Sequence, residues 1–143
     1  MNDTFRTFGW PATRIAETAH WAVMLRPAQP VLGALVVACK VPARSLGAAG
    51  PEAMADLAAA AAGVEAMLAA TVRPEKLNWL ALMMVDPDLH FHVLPRYPET
   101  REAAGVALPD AGWPGPPRLD AGRALEAEEA AALTRHLAAH WPG

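Results

Sequence analysis

The chain has 143 residues, of which 53% are hydrophobic and 19% are charged, and its formal net charge is -3. This length suits one domain, and the apolar content excludes a disordered chain. Because the chain has no overall basic field, we expect neither a nucleic acid polymer nor an anionic membrane as a partner. A phosphate-bearing ligand would need a local group of hydrogen-bond donors.

The cysteine content and the first residues predict a reducing, cytoplasmic location. Cys39 is the only cysteine, which excludes an internal disulfide and a cysteine-based zinc site. It lies in an apolar run, as is typical of a buried and unreactive thiol. The first residues lack the basic-then-apolar order of a signal peptide. No apolar stretch is expected to reach the roughly 18 residues that a membrane-spanning helix needs.

The first half of the chain predicts a strand pair followed by a long helix. Residues 1–19 are weakly patterned and predict an irregular lead-in, whereas residues 20–25 and 31–39 predict an antiparallel pair of strands. Gly33 marks a bulge or a close approach in the second strand. Gly50-Pro51-Glu52 has the composition of a helix start. The helix is expected to bury an apolar stripe of Met54, Leu57, Ala61, Val64 and Leu68, and to stop at Arg73-Pro74.

The second half of the chain adds two more strands and a terminal helix. Residues 77–85 and 89–94 predict strands, residues 98–122 an ordered irregular excursion, and residues 124–141 a helix. This order predicts an α+β domain over residues 1–143, in which a small antiparallel sheet carries the long helix on one face. Leu108 and Trp113 are the expected anchors of the excursion.

Residues 88–96 carry the most informative pattern in the chain. Alternate residues of a strand share a face and lie about 6.6 Å apart, so Asp88, His90 and His92 should project together, opposite Leu89 and Phe91. Three hypotheses fit this face. Paired imidazoles can act as nucleophile and proton donor, all three side chains can ligate a metal, or the histidines are hydrogen-bonded surface residues.

The same stretch, with Lys76-Leu77-Asn78-Trp79 upstream, resembles the histidine triad family of nucleotide hydrolases and transferases. The signature of that family is His-x-His-x-His followed by two apolar residues, often then Pro-Arg. The resemblance covers about residues 8–97, and the tail over about residues 98–143 is similar to bacterial members of the diadenosine-polyphosphate-hydrolase type. It implies a half-barrel sheet with one long helix packed on it and a C-terminal helix.

The resemblance also implies catalytic roles for three residues. His90 matches the central histidine, which attacks the α-phosphate and forms a covalent nucleotidyl-histidine that water then hydrolyses. His92 matches the third histidine, which contacts the scissile phosphate and helps the leaving group. Asp88 stands in place of the first histidine, where the family uses a backbone carbonyl to hold the nucleophile. Its carboxylate could also make the nearby imidazole more basic, whereas its negative charge opposes an anionic substrate.

Three further residues are candidate substrate contacts. Arg26, at the end of the first strand, is a candidate phosphate clamp, with a solvated strand-end charge as the alternative. Asn78 matches an asparagine common in the family, and Arg96 follows the triad directly, where a structural ion pair is the competing interpretation. Ala34, Met83 and Met84 depart from the family pattern, and the two methionines are typical of core packing.

The resemblance therefore implies an enzyme acting at the α-phosphate of a nucleotide or dinucleoside polyphosphate. It implies a homodimer paired through the helix and a sheet edge, and no metal held by the protein, with any Mg²⁺ carried by the substrate. Two alternatives stay open. Asp88 could make the triad a degenerate site that binds a nucleotide without cleaving it, or Asp88, His90 and His92 could bind a metal.

Overall fold

The computed structural model describes residues 2–143, and its centre is a five-stranded antiparallel sheet in the order β1-β2-β4-β6-β5. Two short strand pairs, β3 with β9 and β7 with β8, lie outside it. The helices and strands are α1 (Asp3–Thr7), β1 (Arg14–Glu17), β2 (Trp21–Leu25), β3 (Ala28–Gln29), β4 (Leu35–Cys39), α2 (Pro51–Thr71), β5 (Lys76–Leu80), β6 (His90–Arg96), β7 (Arg101–Ala103), β8 (Val106–Leu108), β9 (Arg123–Ala124) and α3 (Ala127–Ala139). Short 3₁₀ turns cover Leu46–Ala49 and Leu119–Ala121. The predicted α+β class, with a long helix on an antiparallel sheet and a C-terminal helix, is confirmed.

The predicted strand pair at the start of the sheet is present as β2 and β4, with Trp21 opposite Cys39 and Leu25 opposite Leu35. Gly33 lies just before β4 with φ +86°, and a Cβ there would lie 2.9 Å from a methyl carbon of Val72. The glycine is therefore required both by its backbone conformation and by the close approach of the segment after α2.

The sheet is covered on both faces. On one face, the main core lies between the sheet and the helices α2 and α3. On the other face, Phe5 of α1 packs with Phe8 and Trp10 against a second cluster of Ala22, Met24, Val36 and Ala38. Every residue of β2 and β4 is consequently buried.

The expectation of an irregular lead-in over residues 1–19 is wrong, because this segment forms α1 and β1. Asn2 caps α1 by accepting a hydrogen bond from the Thr4 amide at 3.1 Å, and β1 pairs with β2 through a register shift. A five-residue helix and a four-residue strand are too short to show a periodic pattern in sequence. Their stability comes from burial of Phe5 and Ile15.

The predicted stripe on α2 is also corrected. The helix begins at Pro51 as expected, but its buried residues are Ala53, Ala60, Gly63, Val64, Met67 and Leu68, whereas Met54 is 37% exposed. At Gly63 a Cβ would lie 2.4 Å from the Trp141 ring. The buried face is therefore built partly from small residues that allow close approach, which a search for large apolar residues does not detect.

The expectation that no apolar stretch is long enough to cross a membrane is corrected by α2. The helix has 21 residues, and an 18-residue window within it has a mean hydropathy of 1.5, long and apolar enough to cross a membrane by length and composition. A helix that packs on the core of a sheet passes the same test, and one third of this window is buried within the structure.

The strand predicted over residues 77–85 is shorter, because β5 ends at Leu80. Leu80 pairs with His92 of β6, and before His90 the chain turns toward β4 instead, where Leu89 accepts a hydrogen bond from Cys39 and donates one to Ala43. Residues beyond Leu80 therefore have no strand beside them. They form an irregular segment in which Met84 and Val85 are 87% and 93% exposed, so the expectation that Met84 fills the core is wrong.

The excursion over residues 98–122 is ordered as expected and contains the β7–β8 hairpin. Leu108 is a buried anchor, whereas Trp113 is only half-buried. The last helix begins at Ala127, after a capping box of Glu126 and Glu129. Ala124, which was expected to open it, instead lies in β9.

Replacing Phe5 with alanine should lower the free energy of unfolding by about 3–5 kcal/mol, because a fully buried ring would leave a cavity between α1 and the sheet. Urea denaturation followed by circular dichroism measures this loss. Leu46→Ala, at a residue that is 45% exposed, is the matched control and should stay within about 0.5 kcal/mol of the wild type. Equal stability of Phe5→Ala and wild type would show that the segment before β1 does not stabilise the sheet.

Candidate active site

Strand β6 places the two histidines on one face of the sheet. His90 and His92 are 3% and 9% exposed, and their ring centroids lie 5.1 Å apart with the planes at 73°. The intervening Phe91 packs on the opposite face, against Trp21 and Trp79. The alternation predicted from the sequence is therefore present, and both imidazoles line one cavity.

The backbone of Asp88 holds the ring of His90. The His90 Nδ1 atom lies 2.7 Å from the carbonyl oxygen of Asp88. Because a carbonyl can only accept a hydrogen bond, Nδ1 carries the proton in the neutral ring, and Nε2 keeps its lone pair. This arrangement is what a nucleophilic imidazole requires, and the resemblance implied it.

The carboxylate of Asp88 is turned to a different partner. Its Oδ1 atom lies 3.8 Å from Nε of Arg44, whose side chain is 76% exposed, so the ion pair is weak. Within residues 2–143, no hydrogen bond joins this carboxylate to either imidazole. Asp88 thus contacts His90 through its main chain.

His92 is neutral at neutral pH. Burial, reinforced by the Arg26 guanidinium and by His90, lowers the pKa of His92 from 6.5 to about 4. Its Nδ1 atom is buried and has no hydrogen-bond partner among the described residues. The neutral ring of His92 therefore lies near the positive charge of Arg26, and its Nδ1 atom is free to bond to a ligand.

Arg26 supplies that positive charge from the end of β2. Its Nη1 donates to the carbonyl of Ala28 at 2.8 Å, while Nε is buried without a partner in the part of the chain that the structure describes. Burial lowers the pKa of Arg26, yet an arginine keeps its charge at all physiological pH values. Two unsatisfied polar atoms, on Arg26 and His92, therefore occur at the histidine face, and an anion bound there would suit both.

The cavity beside the histidines has a volume of about 210 Å³ and largely apolar walls. Phe8 and the segment of residues 82–86 complete its lining. The Phe8 ring centroid lies 5.9 Å from that of His90 and 5.7 Å from that of His92. Sequence reasoning missed Phe8, because its contact with β6 joins distant parts of the chain that share no spacing pattern.

The other two predicted substrate contacts lie elsewhere. Arg96 is buried and binds Asp110 through Nε and Nη2, Asn78 through Nη1, and the carbonyl of Gly115 through Nη2. Arg96 and Asn78 line a second cavity that shares no residue with the one beside the histidines. The structure thus brings Asp88, His90 and His92 together. Arg26 lies outside the cavity lining but close enough to His92 for its charge to lower the pKa of that ring. Asn78 and Arg96 lie at the other cavity.

A protein-held metal gains no support from the arrangement of ligands. Within residues 2–143, no three His, Cys, Asp or Glu side chains are grouped so that they could hold a metal ion. The Asp88 carboxylate points toward Arg44 rather than toward a point shared with the two imidazoles.

Comparison with solved structures identifies the fold. A histidine triad protein from Bradyrhizobium japonicum aligns with a TM-score of 0.75 at 19% identity, over 99% of this chain and 96% of that one. A hypothetical histidine triad nucleotide-binding protein from Sulfolobus tokodaii aligns with a TM-score of 0.68 at 20% identity, over 90% and 82%. A Zn-bound histidine triad family protein from Mycobacterium smegmatis aligns with a TM-score of 0.62 at 21% identity, over 95% and 90%. Neither a protein-family model nor a curated protein sequence matches the chain. The chain therefore has the fold of histidine triad proteins.

The lowered pKa of His92 makes stability depend on pH. Between pH 6.5 and about 4 the unfolded chain binds a proton that the folded chain excludes, so the free energy of unfolding falls as the pH decreases through this window. In His92→Asn the decrease in the free energy of unfolding across this window should be smaller by about 2 kcal/mol. Denaturant unfolding at several pH values in the window measures it. The exposed His140 is the control, and His140→Asn should follow the wild type. Parallel pH curves for His92→Asn and wild type would contradict the expectation.

The Arg96–Asp110 pair predicts a large loss of stability when one partner is removed. Both side chains are at most 5% exposed, so Asp110→Ala leaves a buried charge and should cost about 3–5 kcal/mol. Asp120→Ala, which breaks the exposed pair with Arg118, should cost less than about 1 kcal/mol. Equal unfolding midpoints for the two variants would show that the buried pair does not anchor the excursion.

Proposed function

We propose that this protein is a nucleotide hydrolase or nucleotidyl transferase that acts at the α-phosphate of a nucleotide or dinucleoside polyphosphate through His90. The observation that supports it most directly is the bond from His90 Nδ1 to the Asp88 carbonyl, which leaves Nε2 as the nucleophile beside a cavity. The similarity in fold to a protein described as nucleotide-binding agrees with this assignment.

The first step is attack on phosphorus. The Nε2 lone pair of His90 forms a bond to the α-phosphorus, and the bond from that phosphorus to the leaving oxygen breaks. As the ring becomes positively charged, the Asp88 carbonyl strengthens its hydrogen bond to Nδ1 and stabilises the charge. Water, or another acceptor hydroxyl, then attacks the same phosphorus and gives its proton to His92, which is neutral again, while the bond from phosphorus to His90 Nε2 breaks.

His92 and Arg26 act on the phosphate. In the absence of substrate His92 is neutral, because burial and Arg26 disfavour its charged form. The negative charge of a phosphate placed beside the two residues favours the charged form of His92 and raises its pKa, so that the ring takes a proton from water and passes it to the leaving oxygen. The unsatisfied Nε of Arg26 donates to a phosphate oxygen.

Asp88 acts through its main chain in this mechanism. Its carboxylate adds a negative charge near the cavity and disfavours an anionic substrate, although Arg44 offsets part of that charge. The largely apolar walls from Phe8 and residues 82–86 suit a planar base. No protein-held metal is part of the proposal, and Mg²⁺ would arrive on the substrate.

A brief reaction of the protein with adenosine monophosphate derivatives and dinucleoside polyphosphates tests the nucleophile. Mass spectrometry of the intact protein should show an adduct of one nucleotidyl group, absent from His90→Ala, and turnover of that variant should fall to background. His92→Ala should slow turnover by about 10²- to 10⁴-fold. His140→Ala is the control and should keep both signals.

Two outcomes separate this proposal from the alternative. Normal turnover by His90→Ala would remove the mechanism. A thermal shift with adenosine monophosphate but no adduct and no turnover across the panel would show a degenerate site that binds a nucleotide without cleaving it.

We also propose that the protein forms a homodimer and works in the cytoplasm. In the part of the chain that the structure describes, β5 is an edge strand with no partner on its outer side, and the neighbouring Leu82, Met84 and Val85 are exposed apolar residues. Most of the apolar window of α2 is unburied as well. The single cysteine, buried and unpaired, suits a reducing compartment.

Replacing Met84 and Val85 with glutamate should convert a dimer into a monomer, because two buried carboxylates would oppose association. Sedimentation velocity of the wild type and the double variant measures the change. Leu46→Glu adds a charge at another exposed apolar residue and should leave the dimer intact. A monomeric wild type at micromolar concentration would contradict the proposal.

A further inference from the structure

The second cavity is the larger of the two, with a volume of about 360 Å³. It opens between the start of β5, the end of β6 and the turn that contains Trp113 and Pro114. It shares no lining residue with the cavity beside the histidines, so the proposed hydrolase mechanism leaves it without a role. Its volume lies within the range typical of small-molecule sites.

Arg96, the buried residue that lines this cavity, has one N–H group without a hydrogen-bond acceptor among the described residues. A guanidinium carries five N–H groups. Asp110 takes two of them, and Asn78 and the Gly115 carbonyl take one each. The fifth, on Nη1, has no acceptor within residues 2–143. The charge of Arg96 is balanced by Asp110, so this N–H offers a hydrogen bond without an uncompensated charge.

Asn78 and Lys76 extend the same set of donors. Since the Asn78 oxygen accepts from Arg96, the orientation of its amide is settled, and its NH₂ group has no partner in the described residues. Lys76, two residues earlier on the same strand, is exposed and makes no ion pair within that part of the chain. The cavity thus presents unpaired donors on three side chains and one net positive charge, which is the complement of an oxyanion.

The rest of the cavity lining is residues 113–116, which include one tryptophan and two prolines. Trp113 is half-buried, and its turn is closed by hydrogen bonds from the Trp113 amide to Asp110 and from the Gly115 amide to Gly112. The Asp110 carboxylate in turn accepts hydrogen bonds from Arg96 and from the Gly112 amide, so Asp110 fixes the donors and the turn that carries the indole relative to each other. An indole flanked by proline rings is suited to stacking against a planar ring.

We propose that this cavity is a second ligand site, which binds a small molecule with a planar ring and an attached oxyanion, either a carboxylate or a phosphate. The oxyanion lies against Lys76, Asn78 and the spare N–H of Arg96, and the ring lies against Trp113. This site is separate from the histidine cavity and does not depend on the activity of His90.

Nuclear magnetic resonance of the ¹⁵N-labelled full chain tests the site, with the indole N–H signal of Trp113 assigned by its loss in Trp113→Phe. Four probes separate the contribution of the ring to binding from that of the oxyanion. Phenyl phosphate and benzoate carry both ring and oxyanion, inorganic phosphate carries only the oxyanion, and benzyl alcohol only the ring. Phenyl phosphate or benzoate should shift the Trp113 signal saturably and more tightly than either part, and the tighter of the two identifies the oxyanion.

Two variants test the donors. Lys76→Gln should weaken binding by up to about fivefold, as expected for one partly exposed charge. Asn78→Asp keeps the oxygen that Arg96 requires but replaces the NH₂ donor with a second oxygen, and should weaken binding by about tenfold or more. Arg135→Gln is the matched control: it removes the same charge from an exposed residue of α3 and should bind as the wild type does.

Three results would overturn the proposal: a Trp113 signal that does not move with any probe, equal affinity for inorganic phosphate and phenyl phosphate, or equal weakening by Arg135→Gln. Melting temperatures of the variants show whether a loss of binding comes from a loss of folding. None of the probes is a nucleotide, so the result is independent of the His90 experiments.

Discussion

The burial of β4 and β6 on both faces of the sheet is the constraint on which the rest of the structure depends. On one face α2 and α3 cover Val93 and its neighbours. On the other face the N-terminal segment covers Val36 and Ala38, which lie directly opposite His92 and His90 in the sheet. Two ionisable rings are thereby placed where water is scarce. The cost of charging a group in such surroundings lowers the pKa of His92, so the chemistry of the site follows from the layer that covers it.

Arg26 and Arg96 both stand at strand ends, yet their surroundings give them different properties. Arg96 lies in a buried network with a carboxylate, an amide and a carbonyl, and its main effect is to join β6 to the excursion. Arg26 makes one bond to a carbonyl and keeps a buried, unpartnered N–H near His92. An unsatisfied buried donor is unfavourable in the free protein, and a bound anion would remove that cost. This difference in hydrogen bonding separates a structural arginine from one that suits a ligand.

The similarity to solved histidine triad proteins extends over nearly the whole chain at about one fifth identity. What such distant chains share is the path of the backbone, and the contact that holds His90 is itself a backbone contact. Any residue at position 88 would present the same carbonyl, so aspartate can stand there without removing the support of the ring. The side chain is free to differ because it turns toward Arg44 rather than toward the imidazoles.

Much of the fold was predictable from sequence, since strands and helices that bury one face leave a periodic pattern. The alternation in β6, the start of α2 at Pro51 and the pairing of β2 with β4 are of this kind. The pair of histidines on one face follows from the same period of two. The resemblance to the histidine triad family added the role of the Asp88 carbonyl, which no periodicity reveals.

The tertiary structure alone decided the features that depend on contacts between distant segments. Phe8 reaches the histidines because the segment after α1 packs on the sheet. β5 ends where β6 turns toward β4, and Arg96 meets Asp110 because the excursion folds back. On α2, Gly63 is buried because Trp141 packs on it. In each case the partner is far away in sequence, and local propensity carries no information about which residue it will be. The sequence by itself thus determined the larger elements β2, β4, β6 and α2 and the histidine face, whereas long-range packing determined what covers that face and how its charges are balanced.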